Sequence, residues 1–190
     1  MSRVKLQAAY YHQPDKRLRQ TQDKLMAAMR QSFRDGQQFD TVRVTEICKS
    51  AHLARQTFYR HYSTLGEIIE LDMAWIINDF LKQTDQKVDS THYAPRLMVK
   101  LMEQHQTSFA MVFWAHEETA VIDYLVRDMR RVNAIRSTNS PVTVAAIRLY
   151  AHMLIDFARL MLDNPQLDRE DFIGIYQRLM PAPESIFHDD

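Results

Sequence analysis

Residues 44–62 read VTEICKSAHLARQTFYRHY. Val44, Ile47, Cys48 and Ala51 recur at helical spacing, which predicts a short helix with one apolar face. His52-Leu53-Ala54 interrupts that pattern. A second helix starts at Arg55, with Phe58 and Tyr62 four residues apart on its inner side. Its other positions are Arg55, Gln56, Thr57, Tyr59, Arg60 and His61, whose side chains donate to phosphates, reach base edges or stack. Two short helices joined by a tight turn, the second polar and cationic outside, match the helix-turn-helix pattern that lays one helix in the major groove. An ordinary helical hairpin with a solvated basic face has the same outline. The crowding of groove-compatible side chains and the charge distribution distinguish the two.

Formal net charge is zero, with 24 Lys and Arg against 24 Asp and Glu, but the charge is unevenly spread. Residues 1–62 hold 12 Lys and Arg against 5 Asp and Glu, a net +7; residues 63–190 hold 12 against 19, a net −7. A basic N-terminal third on an acidic remainder is expected of a polyanion-facing module carried by a body that is not. Binding by such a module depends on salt, because each neutralised phosphate releases counterions.

The chain has 190 residues, 46% of them apolar, so a sizeable core can be buried. Only 3 Gly against 11 Met points to an all-α protein. The single cysteine, Cys48, cannot pair within the chain and reads as a small core residue, consistent with a reducing cytoplasm. The N-terminus lacks the apolar core of a signal peptide, and the run Ala110–Ala115 is too short to span a bilayer, so no membrane partner is expected.

Outward from the motif, residues 1–14 read as a polar tail, or alternatively as an arm placing Arg3 and Lys5 on DNA. A first helix is predicted from Asp15 to Arg34, with Leu18, Leu25, Met26, Met29 and Phe33 inward and Asp35-Gly36 as its stop. Thr64-Leu65-Gly66-Glu67 reads as a capping box for the helix that follows the motif. That helix is apolar on two flanks and is expected to belong to both domains. Thr84–Thr91 reads as a loop, and Pro95 is expected in the first turn of the next helix.

Arg127, Arg130, Arg131 and Arg136 read as dipole and surface charge on a helix over 117–135. Ser140-Pro141 opens a long helix running to about Leu162 with two apolar stripes, and Asp168 caps a last helix with Leu167 stapled onto Phe172. Leu149, Tyr150, Met153, Phe157 and Leu160, with Phe172, Tyr176 and Leu179, are the expected contact with a second copy; burial inside one copy is the alternative. Met98, Met102, His105, Phe109, Phe113, Trp114 and Tyr124 are candidates to line a ligand pocket; the alternative is that they fill a solid core.

Residues 15–69 resemble the DNA-binding domain of the tetracycline-repressor (TetR/AcrR) family of bacterial transcriptional regulators. The resemblance lies in the Leu25–Phe33 helix, Phe39-Asp40, Val44-Thr45-Glu46-Ile47, Ala51, Leu53 and Arg55-Gln56-Thr57-Phe58-Tyr59-Arg60-His61-Tyr62. It implies a homodimer, usually a repressor, whose helical body binds a small-molecule effector and resets the spacing of two reading heads on an operator. By the same resemblance Arg55, Gln56, Thr57 and Tyr59 face the groove, while Arg60, His61 and Thr45 lie near the backbone. Four positions depart from the family pattern. His52 replaces a turn Gly and Ala54 a Ser or Thr N-cap. Arg43 replaces a Thr cap, with a phosphate contact as its expected role. Leu65 replaces a Lys that grips the backbone.

Enzyme chemistry finds no support. His116-Glu117 begins like a zinc-protease helix, but Ala120 stands where the second His is required. No Gly-rich phosphate loop and no Ser/His/Asp arrangement stands out, and neither cofactor nor metal is expected. The sequence therefore predicts an all-α protein: a tail over 1–14, a three-helix DNA-binding domain over 15–64, and a helical regulatory and dimerisation domain over 65–190. The expected function is a homodimeric, cytoplasmic transcriptional regulator on double-stranded operator DNA. The alternative is a DNA-bound scaffold or partner-binding protein with no small-molecule switch.

Overall fold

The computed structural model describes residues 16–85, 90–136 and 140–180, so the tail expected over 1–14 lies outside the described residues. Nine α-helices and no strand occur among the described residues. They are α1 (Lys16–Arg34), α2 (Val44–Ser50), α3 (Arg55–His61), α4 (Gly66–Asp85), α5 (Ser90–Gln104), α6 (Gln106–Trp114), α7 (Glu118–Arg136), α8 (Pro141–Asp163) and α9 (Arg169–Leu179), with a 3₁₀ turn at Phe39–Thr41. The protein is all-α, as its composition implies.

The chain forms two compact units. One comprises the described residues up to Asp79 together with Ala110–Glu117; the other comprises Phe80–Phe109 and the described residues from Glu118 onward. This division differs from the boundary expected after residue 64: residues 66–79 of α4 and a short stretch from mid-chain belong with the helix-turn-helix. Both α4 and α6 run from one unit into the other.

In the first unit, Leu25, Met26 and Met29 of α1 are buried with Ile47 and Cys48 of α2 and Phe58 and Tyr62 of α3. A bundle this small buries limited apolar surface. The buried Ile68, Ile69 and Leu71 of α4 extend it. The cap at Ser63–Glu67 sits one residue off the expected box. The Glu67 amide donates to Thr64 Oγ1 at 3.3 Å, but the Glu67 carboxylate accepts from the Ser63 amide rather than from Thr64, at 2.5 Å.

Three helices end in the same six-to-one and five-to-two backbone pattern, with a left-handed residue just past the helix. At α1 this is Gly36 (φ 72), with Gln37 N–H bonded to Ser32 C=O. At α2 it is His52 (φ 53), with Leu53 N–H bonded to Cys48 C=O. At α6 it is His116 (φ 56), with Glu117 N–H bonded to Val112 C=O. The turn between the motif helices thus does require positive φ, and His52 carries the strain expected of a side chain with a Cβ there. His52→Gly and His116→Gly will each stabilise the protein by about 1 kcal/mol, the cost of holding an L side chain left-handed. Gly36→Ala will destabilise it by about as much, since its open surroundings leave backbone strain as the whole effect. Urea midpoints of the three variants test this.

In the second unit, α7 packs along α8 and α5 against α9. Ser140 accepts the Thr143 amide at 3.1 Å and Pro141 takes the first helical position, as the sequence predicts. Asp168 and Asp171 form a reciprocal capping box at α9. Pro95 differs: α5 begins at Ser90, so the proline lies inside the helix rather than in its first turn. Of the arginines expected on the surface of α7, Arg131 pairs with the buried Asp128 at 2.8 Å. Arg127 is half-buried, and its Nη1 has no hydrogen-bond partner.

α8 is long and apolar enough to cross a membrane by length and composition. Its Ile147, Ala151, Leu154 and Ala158 are nevertheless buried within the chain, and Arg148, His152, Asp156 and Arg159 are exposed. Those are features of an amphipathic core helix. The residues expected to meet a second copy divide in two. Tyr150, Phe157, Phe172 and Tyr176 are core of this chain: Phe157 meets Tyr176 and Phe172 edge-on at 5.2 and 6.4 Å, and the Tyr150 and Tyr176 hydroxyls bond at 2.9 Å. Helix packing within the chain satisfies these four. Leu149 and Leu179 are exposed, with 63% and 68% of their surface free, and Met153 and Leu160 are half-buried.

Candidate nucleic-acid interface and apolar cleft

α3 is held by two aromatic side chains and presents its remaining residues outward. Phe58 and Tyr62 are both fully buried, four residues apart, with ring centroids at 5.6 Å. Arg55, Gln56, Tyr59 and Arg60 are exposed, and Thr57 and His61 half-buried. Tyr59 keeps 53% of its surface free while its ring stands edge-on to Phe58 at 5.1 Å. Arg43 and Thr45, at the start of α2, are exposed. Arg43 occupies the N-cap of α2 and Ala54 that of α3, and neither side chain caps its helix. A missing cap typically costs about 1 kcal/mol. Leu65 is buried and contributes to the core instead of reaching outward. Burial raises the Cys48 thiol, and neighbouring Arg55 opposes the shift.

Two positioning elements of this unit escape a sequence reading. Gln22, fully buried on α1, donates from Nε2 to the Ile68 carbonyl at 2.7 Å and accepts the Tyr62 hydroxyl. One amide side chain thereby ties the end of α3 to the first turn of α4. Burial, then Glu67, Asp23 and Asp72, raise the Tyr62 phenol, which stays protonated and able to donate. The available signal was a Gln standing on the apolar stripe of α1, between Leu18 and Leu25–Met26. The second element is Trp114. Its ring meets Phe33 and Phe39 edge-on at 5.6 and 5.1 Å, and its indole N–H donates to the Gln37 carbonyl at 2.7 Å. Three residues on, Glu117 lies over Gly66, where a Cβ would meet its carboxylate oxygen at 1.5 Å.

Trp114, expected to line a ligand pocket, belongs with Phe113 to the stretch that is part of the helix-turn-helix unit. The second unit holds a cleft of about 340 Å³. Met102, Phe109, Ala158, Met161 and Phe172 form its buried floor. Glu103, Gln106, Leu162, Pro165 and Leu167 complete the lining. Of the expected pocket residues, Met102 and Phe109 meet here; Met98, His105 and Tyr124 are not part of this lining. Leu167 and Phe172, which the sequence reads as a helix staple, form part of the wall. Beside the cleft, Arg169 bonds to Glu103 at 2.6 Å, and Arg96 grips Glu170 through two bonds of 2.8 and 2.9 Å. Among the described residues no three His, Cys, Asp or Glu side chains converge as a metal site.

The fold is similar to that of Lin0861 from Listeria innocua, known from a crystal structure. The TM-score is 0.80 at 22% sequence identity, with 88% of this chain and 94% of that chain covered. At that identity the likeness is one of fold. No family model matches the sequence. No curated protein matches it either.

Proposed function

We propose that this chain is a sequence-specific DNA-binding transcriptional regulator of the tetracycline-repressor type, acting in the cytoplasm as a homodimeric repressor that a small-molecule effector releases. The observation that carries this reading is the posture of α3. Buried Phe58 and Tyr62 hold it, while Arg55, Gln56, Tyr59 and Arg60 stand in solvent on a basic segment. Exposed Val142, Leu149 and Leu179 on the last two helices support pairing with a second copy. The cleft favours an effector-bearing body over a scaffold without a switch, and nothing in the described chemistry favours an enzyme.

Selection of bound duplexes from a random pool tests the reading; recovery of a two-half-site consensus is expected, and unselected recovery overturns it. Thr57→Ala and His61→Ala will weaken binding to selected and scrambled duplexes alike, because backbone contacts set register rather than sequence. Arg60→Ala will reduce the slope of log affinity against log salt by about one, as expected when one fewer phosphate is neutralised.

A further inference from the structure

We propose that the cleft of the second unit binds a small amphipathic amine. Its apolar body would lie on Met102, Phe109, Met161 and Phe172, and its ammonium would meet the Glu103 carboxylate. The volume of about 340 Å³ lies at the small end of the range for organic-ligand pockets. The floor is apolar, buried and contains two thioethers, which adapt to ligands of irregular shape. Among the described residues the lining includes no cationic side chain, and its one charged group is a carboxylate, which only accepts hydrogen bonds. Gln106 supplies a neutral amide beside it. A ligand that fits therefore brings a donor, and a cationic donor best.

Arg169 already holds Glu103, but from outside the lining, with 58% of its side chain exposed. An exposed pair of this kind contributes little, about 0–1 kcal/mol, so a ligand ammonium can take its place. An ammonium reaching the carboxylate from the cleft side would be screened by less water than the exposed Arg169, which strengthens its attraction to the carboxylate. The opposite ligand, an amphipathic acid, would instead draw Arg169 inward. The two classes predict opposite responses to loss of that arginine.

The site itself stands apart from DNA binding; only its role as the effector site rests on the regulator reading. Calorimetric titration of the full chain with octylamine and with octanoate compares one apolar length under opposite head charges. Saturable binding of octylamine is expected, with octanoate weaker. Glu103→Gln will weaken octylamine about tenfold, as loss of a charge-assisted hydrogen bond does. Arg169→Ala, which frees the carboxylate, will tighten octylamine by about threefold. If Glu103→Gln misfolds, the sign of the Arg169→Ala effect still decides. Octanoate binding as well as the amine, or Arg169→Ala abolishing amine binding, overturns the proposal, as does no octylamine binding at all. Adding octylamine to the protein–operator complex separates the two readings. Amine bound without DNA release leaves the site standing and removes its effector role. Intact DNA binding with no amine bound removes the site alone.

Discussion

Arg55→Ala combined with Gln56→Ala will bring affinity for the selected operator down to that for scrambled DNA, while the protein stays folded. In the major groove an arginine forks onto the O6 and N7 of guanine and a glutamine onto the N6 and N7 of adenine. Each such pair discriminates by about 1–3 kcal/mol, so loss of both should cost about 2–6 kcal/mol, or roughly 30-fold to 10⁴-fold, on the operator. Scrambled DNA, held through phosphates, should lose much less. The fold should not register the change: both side chains are exposed, and the helix is anchored by Phe58 and Tyr62. Alanine is also the better helix former at both positions. Anisotropy titrations of operator and scrambled duplex at one salt concentration measure the ratio. An unchanged ratio would remove α3 from the role of recognition helix.

That helix was legible in the sequence because its signal is local. Phe58 and Tyr62 lie one helical turn apart, and the residues between them are all polar except Tyr59, so the buried face follows from nineteen consecutive letters. The caps at Ser140 and Asp168 were legible for the same reason. The two stripes of α8 were not separable in this way. Both are apolar at helical spacing, and which meets its own chain depends on α9 arriving with Phe172 and Tyr176 to cover Tyr150 and Phe157. Periodicity reports that a face is buried, not what buries it. The residues expected in a pocket divide in a similar way. Phe109 and Trp114 are five residues apart on one helix, yet the first lines the cleft and the second joins the other unit. His52 is a case where a departure from pattern had a checkable consequence: the position is left-handed at φ 53.

Trp114→Ala will destabilise the helix-turn-helix unit by about 2–4 kcal/mol, although residue 114 lies far along the chain from the motif. The indole closes one end of that unit. Two edge-on rings, Phe33 at the end of α1 and Phe39 in the 3₁₀ turn, rest on it, and the Gln37 carbonyl between them takes its N–H. Truncation uncovers Phe33 and Phe39, both only half-buried with the indole present, and removes the hydrogen bond to that carbonyl. Trp114→Phe keeps an aromatic ring at the site but not the donor, so it should cost about 1 kcal/mol, the net worth of one hydrogen bond. The gap between the two variants measures the ring packing alone. Hydrogen exchange locates the effect. In Trp114→Ala the amides of Thr41 and Val42, which bond to Gln38 and Phe39 carbonyls, should lose protection first, while Phe58 and Tyr62 amides, held by α3, should lose it only with global unfolding. If Trp114→Ala melts like the parent and Thr41 and Val42 exchange at unchanged rates, the Ala110–Glu117 stretch contributes nothing to the unit that carries α3. The helix-turn-helix unit would then consist of the described residues up to Asp79 alone.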